Sequence, residues 1–146
     1  MSEEVKINRG LIGVYFDRSE VSDINGAEGQ LTYRGYSIDD LAQNGTFEET
    51  AYLLIHGELP SAAQLAAFDS ALKDARQLPG PVIDVIRATQ NGHPMDVLRT
   101  AVSALGALEP EDKGATAEAF TARGIALTSQ IPMIVATHPE QLELLK

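Results

Sequence analysis

The sequence contains no cysteine and no tryptophan, and it has only four tyrosines, four phenylalanines and three histidines. Without cysteine there is no disulfide, no thiolate metal site and no thiol nucleophile, a composition that suits a reducing cytosol. Basic residues are scarce: 11 Lys and Arg against 21 Asp and Glu give a formal net charge of −10, which on average repels a nucleic-acid backbone or an anionic membrane. No apolar run approaches the ~20 residues that cross a bilayer, and MSEEVKINRG lacks a signal-peptide hydrophobic region. The chain is expected to be soluble and cytoplasmic, with no nucleic acid, membrane or metal among its partners.

What remains is ordinary globular material. Hydrophobic residues make up 44% and charged residues 22% of 146 residues, enough for a single unit that buries roughly two-thirds of its unfolded surface. Residues 1–36 read as a β element, since LIGVYF and GQLTYRGY are β-prone and SDINGAEG between them is rich in turn formers. Asn25-Gly26 is the expected left-handed turn, with Gly29 a second break.

From Ser37 to residue 146 the signals are helical. SIDDLA begins the series, and TFEETAYLLIHGELP follows with Thr46 and Glu49 spaced as a capping box, Phe47, Ala51 and Leu54 on one face, and Gly57 as a left-handed stop. Ser61 and Gln64 repeat the box before a helix whose Leu65, Phe68, Leu72 and Ala75 recur at three or four residues. A shorter helix enters at Pro81 and leaves at Asn91-Gly92. Pro94 then fits a first helical position, and Val97, Leu98, Ala101, Val102, Leu105 and Leu108 form a wide apolar face. After the polar loop EPEDKGAT, AEAFTARGIALTSQIPMIVAT is helical again, with Pro132 expected to kink or break it. Thr137 and Glu140 are placed to cap a last turn or two. The fold class is mainly α: a small N-terminal β-hairpin followed by a helical bundle.

No complete active site can be drawn from these residues. General acid/base work needs a histidine beside a carboxylate, yet His56 falls in the last turn of its helix, His93 at a helix entrance where it can accept a free backbone N–H, and His138 in a polar turn. All three read as structural or surface residues. No HxxxH, HExxH or cysteine pair occurs, and Asp39-Asp40, Glu48-Glu49 and Glu111-Asp112 read as solvated charges at helix starts or in a loop. Neither GxGxxG nor GxxxxGK[ST] is present. Ser103 lacks a GxSxG elbow and reads as a core hydroxyl bonded to its own helix. Arg9, Arg34 and Arg99 are candidate anion binders, with structural bridging the favoured role. The catalytic, cofactor-binding and metal sites are therefore all expected to be empty of assigned residues.

Taken in order and spacing, GLIGVYFDRSEVSDINGAEGQLTYRGYSIDDLA, TFEETAYLLIHGELP and HPMDVLRTAVSAL resemble the N-terminal part of the citrate synthase family, which includes 2-methylcitrate synthases, over residues 9–136. The resemblance implies a largely helical fold, a homodimer at minimum, and condensation of acetyl-CoA or propionyl-CoA with oxaloacetate, these being substrates and not bound cofactors. It also implies that the family's catalytic histidines and aspartate lie on motifs downstream of IPMIVAT, so that the catalytic C-terminal part is expected to be absent. Two readings follow. The chain is the N-terminal portion of an acyl-CoA condensing transferase, inactive without the catalytic part and completed by another polypeptide, or it is a non-catalytic self-association or partner-binding module. A third, an unrelated CoA-ester or anion-binding domain, rests on the arginines alone.

Overall fold

The computed structural model describes residues 9–11, 13–14, 17–109 and 116–138. By contacts the chain divides into two compact units, Met1–Gly45 and Thr46–Lys146.

The first unit holds a three-stranded antiparallel sheet, β1 (Ser22–Asn25), β2 (Gln30–Tyr33) and β3 (Tyr36–Ser37), in the order β1-β2-β3. The first strand is SDIN, read above as part of a turn, while Leu11 lies in the 3₁₀ turn Arg9–Leu11; Ile12, Tyr15 and Phe16 of the expected strand lie outside the described residues. Every residue of β1 is exposed. Pairing of its backbone with β2, and not side-chain propensity, therefore decides the strand. Asn25 pairs opposite Gln30 and takes no left-handed conformation. The positive φ falls instead on Gly29, at 68°, after a loop in which Asn25 Oδ1 accepts the Glu28 N–H at 3.3 Å. Tyr33 and Tyr36 pair around Arg34 (φ 49°) and Gly35 (φ 87°), a two-residue turn with both central residues left-handed. Ser37 then caps α1 (Ile38–Asn44) by accepting the Asp39 N–H at 3.3 Å, and Asp39 and Asp40 occupy its first turn, where the helix dipole favours negative charge.

Among the described residues the second unit holds five helices. Both capping boxes form. Thr46 Oγ1 accepts the Glu49 N–H at 3.2 Å and Glu49 Oε2 accepts the Thr46 N–H at 2.8 Å at the start of α2 (Phe47–His56); Ser61 and Gln64 do the same for α3 (Ala62–Asp74). Gly57 closes α2 at φ 91°. Next come α4 (Gly80–Thr89), α5 (Pro94–Leu108) and α6 (Ala117–Thr137), the last capped by Thr116, whose hydroxyl accepts the Ala119 N–H. In the first turn of α6, hydrogen bonds from the Glu118 backbone N–H and the Thr116 hydroxyl hold the Glu118 carboxyl below its ordinary range.

Among the described residues two apolar clusters form. Ala51 and Tyr52 of α2 pack with Phe68 and Leu72 of α3, with Ile55 and Ile125 against them. Val82 and Ile86 of α4 pack with Val97, Ala101 and Leu105 of α5 and Ile134 of α6. Each large side chain so buried contributes roughly 1.5–3 kcal/mol of transfer free energy. Helix α6 thus touches both clusters, through Ile125 and Ile134, and Gln130 Nε2 adds a 3.2 Å hydrogen bond to the Gln77 carbonyl between α3 and α4.

Several expectations need correction. Phe47 is 64% exposed, because as the first residue of α2 it stands a full turn before the packed face begins at Ala51. Leu54 is only half-buried, and Leu53, left out of the expected face, is fully buried. Leu108 is exposed at the end of α5, and Ser103 is exposed, not in the core. Pro132 does not end α6. The lost backbone hydrogen bond costs about 3 kcal/mol, a loss offset by seating Ile134, 2% exposed, in the α4–α5 cluster. Thr137 is helical, its hydroxyl donating to the Met133 carbonyl at 2.7 Å, and its expected partner Glu140 lies outside the described residues.

Ile86→Ala should lower unfolding free energy by roughly 2–5 kcal/mol in urea titrations, whereas Phe47→Ala should change it by less than about 0.5 kcal/mol. Equal losses would contradict this assignment of the core.

Candidate functional site

The three histidines occupy three different settings. His56, exposed at the end of α2, stacks on Tyr52 with ring centroids 4.2 Å apart, and Phe68 meets both rings edge-on at 5.3 and 5.9 Å. It extends the α2–α3 cluster as an aromatic rim. His93 is the N-cap of α5: its Nδ1 accepts the Met95 N–H at 3.2 Å, while its carbonyl accepts the N–H groups of Asp96 and Val97 at 2.8 and 3.1 Å. The ring lone pair that a general base would use is spent on the helix start.

His138 departs from its expected place in a polar turn. It is the C-cap of α6 and only 5% exposed, and among the described residues neither ring nitrogen has a hydrogen-bond partner. With Pro94, Met95, Leu98, Ile134 and Val135 it lines a small apolar pocket of about 110 Å³ between the start of α5 and the end of α6. The signal that would have found it is the four-residue spacing from Ile134 to His138, which carries the buried side of α6 into its C-cap. Among the described residues, no carboxylate is hydrogen-bonded or ion-paired to any of the three histidines.

A larger cleft of about 540 Å³ lies between the second half of α5 and the middle of α6, lined by Val102, Leu105, Leu108 and Leu127, with Arg123 and Gln130 among its polar residues. Arg123 Nε stands 3.0 Å from Glu109 Oε2, an ion pair joining the end of α5 to α6, although the N–H is not aligned for a hydrogen bond. Sequence reasoning passed over Arg123, because its partner precedes the intervening loop and neither residue belongs to a motif. The arginines it did single out lie elsewhere. Arg9 is in the exposed 3₁₀ turn, Arg34 in the β2–β3 turn, and Arg99 pairs with Asp96 at 3.0 Å on the surface of α5. Glu48 and Glu49 sit in the first turn of α2, as Asp39 and Asp40 do in α1; Glu111 and Asp112 lie outside the described residues. No group of three or more His, Asp or Glu side chains among the described residues is placed to hold a metal, and no described helix is long and apolar enough to cross a membrane. Among the described residues the geometry brings together apolar faces and helix caps, with no base, nucleophile and oxyanion donor converging on one point.

Because His93 caps a helix, His93→Ala should cost about 1 kcal/mol of stability while His93→Asn retains most of it. Because His138 is buried without a partner among the described residues, His138→Leu should leave the thermal midpoint unchanged or raise it. A large loss of stability in His138→Leu would point to a hydrogen bond that the ring does not make here.

The comparisons with known proteins agree with one another. The family model described as citrate synthase, C-terminal domain, matches residues 10–142. The 2-methylcitrate synthase 1 of Corynebacterium glutamicum is 41% identical over 132 residues, covering 90% of this chain and 35% of its own. The citrate synthase of Pyrobaculum aerophilum superposes with a TM-score of 0.82 at 34% identity, over 90% of this chain and 35% of that one. The citrate synthase of Thermoplasma acidophilum, in a ternary complex with carboxymethyl coenzyme A and oxaloacetate, gives 0.83 at 25% identity over 94% and 37%. The chain therefore spans about a third of the length of these relatives, and over that span, in sequence and in fold, it belongs to the citrate synthase family.

Proposed function

We propose that this chain is the scaffold portion of a citrate synthase-like enzyme that condenses acetyl-CoA or propionyl-CoA with oxaloacetate, and that it is inactive without the polypeptide carrying the acid and base. The observation that supports this most is a TM-score of 0.82 at 34% identity over 90% of the chain against a citrate synthase. Relatives include a 2-methylcitrate synthase and citrate synthases alike, so the thioester is named as either of the two.

The condensation asks for a base to remove a proton beside the thioester carbonyl and an acid to polarise the ketone as its oxygen gains charge. None of the histidines here stands ready for either task. His93 Nδ1 is engaged by a backbone N–H, the nitrogens of His138 are closed off from solvent, and His56 rests against Tyr52 and Phe68. The chain's part is to hold helices α2 to α6 in the family's arrangement, so that groups on adjoining polypeptide are positioned within fractions of an ångström. A second reading, self-association without catalysis, is favoured by the exposed apolar side chains along α6.

Free CoA release should be absent when this chain is mixed with oxaloacetate and either thioester, and should appear when a catalytic portion is supplied. Turnover by this chain alone would overturn the proposal. For the second reading, light scattering should give a dimer or larger species, and a monomer at high concentration would end it.

A further inference from the structure

Asparagine precedes glycine at three places, Asn25-Gly26, Asn44-Gly45 and Asn91-Gly92. The pairing matters chemically, because a glycine nitrogen with no side chain beside it can attack the amide carbon of the asparagine before it and close a five-membered imide. That attack needs a backbone nitrogen free of other work and room for the ring. The three pairs differ in both respects. The Gly45 N–H closes α1 on the Leu41 carbonyl at 3.0 Å, and Asn44 Nδ2 donates to Asp40 Oδ1 at 2.6 Å. The Gly92 N–H donates to the Thr89 carbonyl at 2.8 Å, and a Cβ built on Gly92 would stand 3.1 Å from that oxygen. At Gly26, by contrast, the strand pairing has ended with Asn25 opposite Gln30, and among the described residues the N–H donates no hydrogen bond. Both residues of this pair are exposed, and a Cβ built on Gly26 would meet nothing within 4 Å.

The Asn25 side chain is itself held by Glu28. Its Oδ1 accepts the Glu28 N–H at 3.3 Å, and its Nδ2 donates to Glu28 Oε2 at 3.2 Å. The N–H thus lies on the oxygen that gains negative charge when the amide carbon is attacked, an arrangement that favours the attack. We propose that Asn25 is a self-modifying site, deamidating ahead of Asn44 and Asn91. The Gly26 nitrogen bonds to Asn25 Cγ as the Cγ–Nδ2 bond breaks, and the proton of the Gly26 N–H leaves with Nδ2 as ammonia. Water then opens the imide to an aspartate or an isoaspartate at this position. In either product a carboxylate replaces the amide that donated to Glu28, so two negative charges meet where a hydrogen bond stood and the β1–β2 loop loses that clasp. The isoaspartate also carries the backbone through one more carbon, which breaks the register of Asn25 with Gln30. This site is independent of the function proposed above.

The test incubates the folded full chain at neutral pH and follows the three asparagines by mass spectrometry, trypsin leaving each on a peptide of its own. Asn25 should convert about tenfold faster than Asn44 or Asn91, since each of those pairs must first give up a backbone hydrogen bond. In urea the three should convert at similar rates. Gly26→Val places a branched side chain beside the attacking nitrogen, at a position with open surroundings and no positive φ, and should slow Asn25 about tenfold with unchanged circular dichroism. Equal rates in the folded chain, or Asn44 or Asn91 in the lead, would overturn the site. So would a lead of Asn25 that persists undiminished in urea, which would belong to local sequence and not to the fold, or a Gly26→Val chain that converts as fast as the original.

Discussion

The second unit depends on one constraint: α6 must pack into two apolar clusters at once. Ile125 lies against the Ala51, Tyr52, Phe68 and Leu72 cluster, and Ile134 is buried among Val82, Ile86, Val97, Ala101 and Leu105. Without α6, the α2–α3 pair and the α4–α5 pair would be two small assemblies, each short of a core that could offset its own conformational entropy. This explains why the helix continues past Pro132 at the cost of a hydrogen bond. It also explains why Gln130 reaches back to the Gln77 carbonyl and Arg123 to Glu109, tying α6 to the α3–α4 connection and to the end of α5.

The same constraint assigns the polar residues their work. His93 begins α5 and so sets where Val97, Ala101 and Leu105 face the core. His138 closes α6 against the first turn of α5. Groups committed in this way are poor candidates for moving protons, since a base must have its lone pair free at the reacting centre. Phe120, Leu127, Ile131 and Val135 of α6 remain exposed beside these packed groups.

Much of this was legible in the sequence, and unevenly so for physical reasons. Capping is local: Thr46 with Glu49, Ser61 with Gln64 and His93 before Pro94 are read correctly because donor and acceptor lie within three residues of each other. Helical periodicity located Phe68, Leu72, Val97, Ala101 and Leu105 for the same reason. What was missed depends on contacts distant in the chain. SDIN is a strand only because QLTY lies beside it, and nothing in its own composition announces that. Phe47 and Ser103 were misplaced because periodicity gives a face but not how far along the helix that face is covered. His138 was read as a surface residue because its burial comes from the start of α5, more than forty residues earlier.

The central claim is that these residues provide packing and no substrate grip. Titration calorimetry of the chain alone with oxaloacetate, then with acetyl-CoA and propionyl-CoA, tests it most directly. No saturable heat up to millimolar ligand is predicted; a one-to-one isotherm with a dissociation constant in the micromolar range, about −8 kcal/mol, would contradict it.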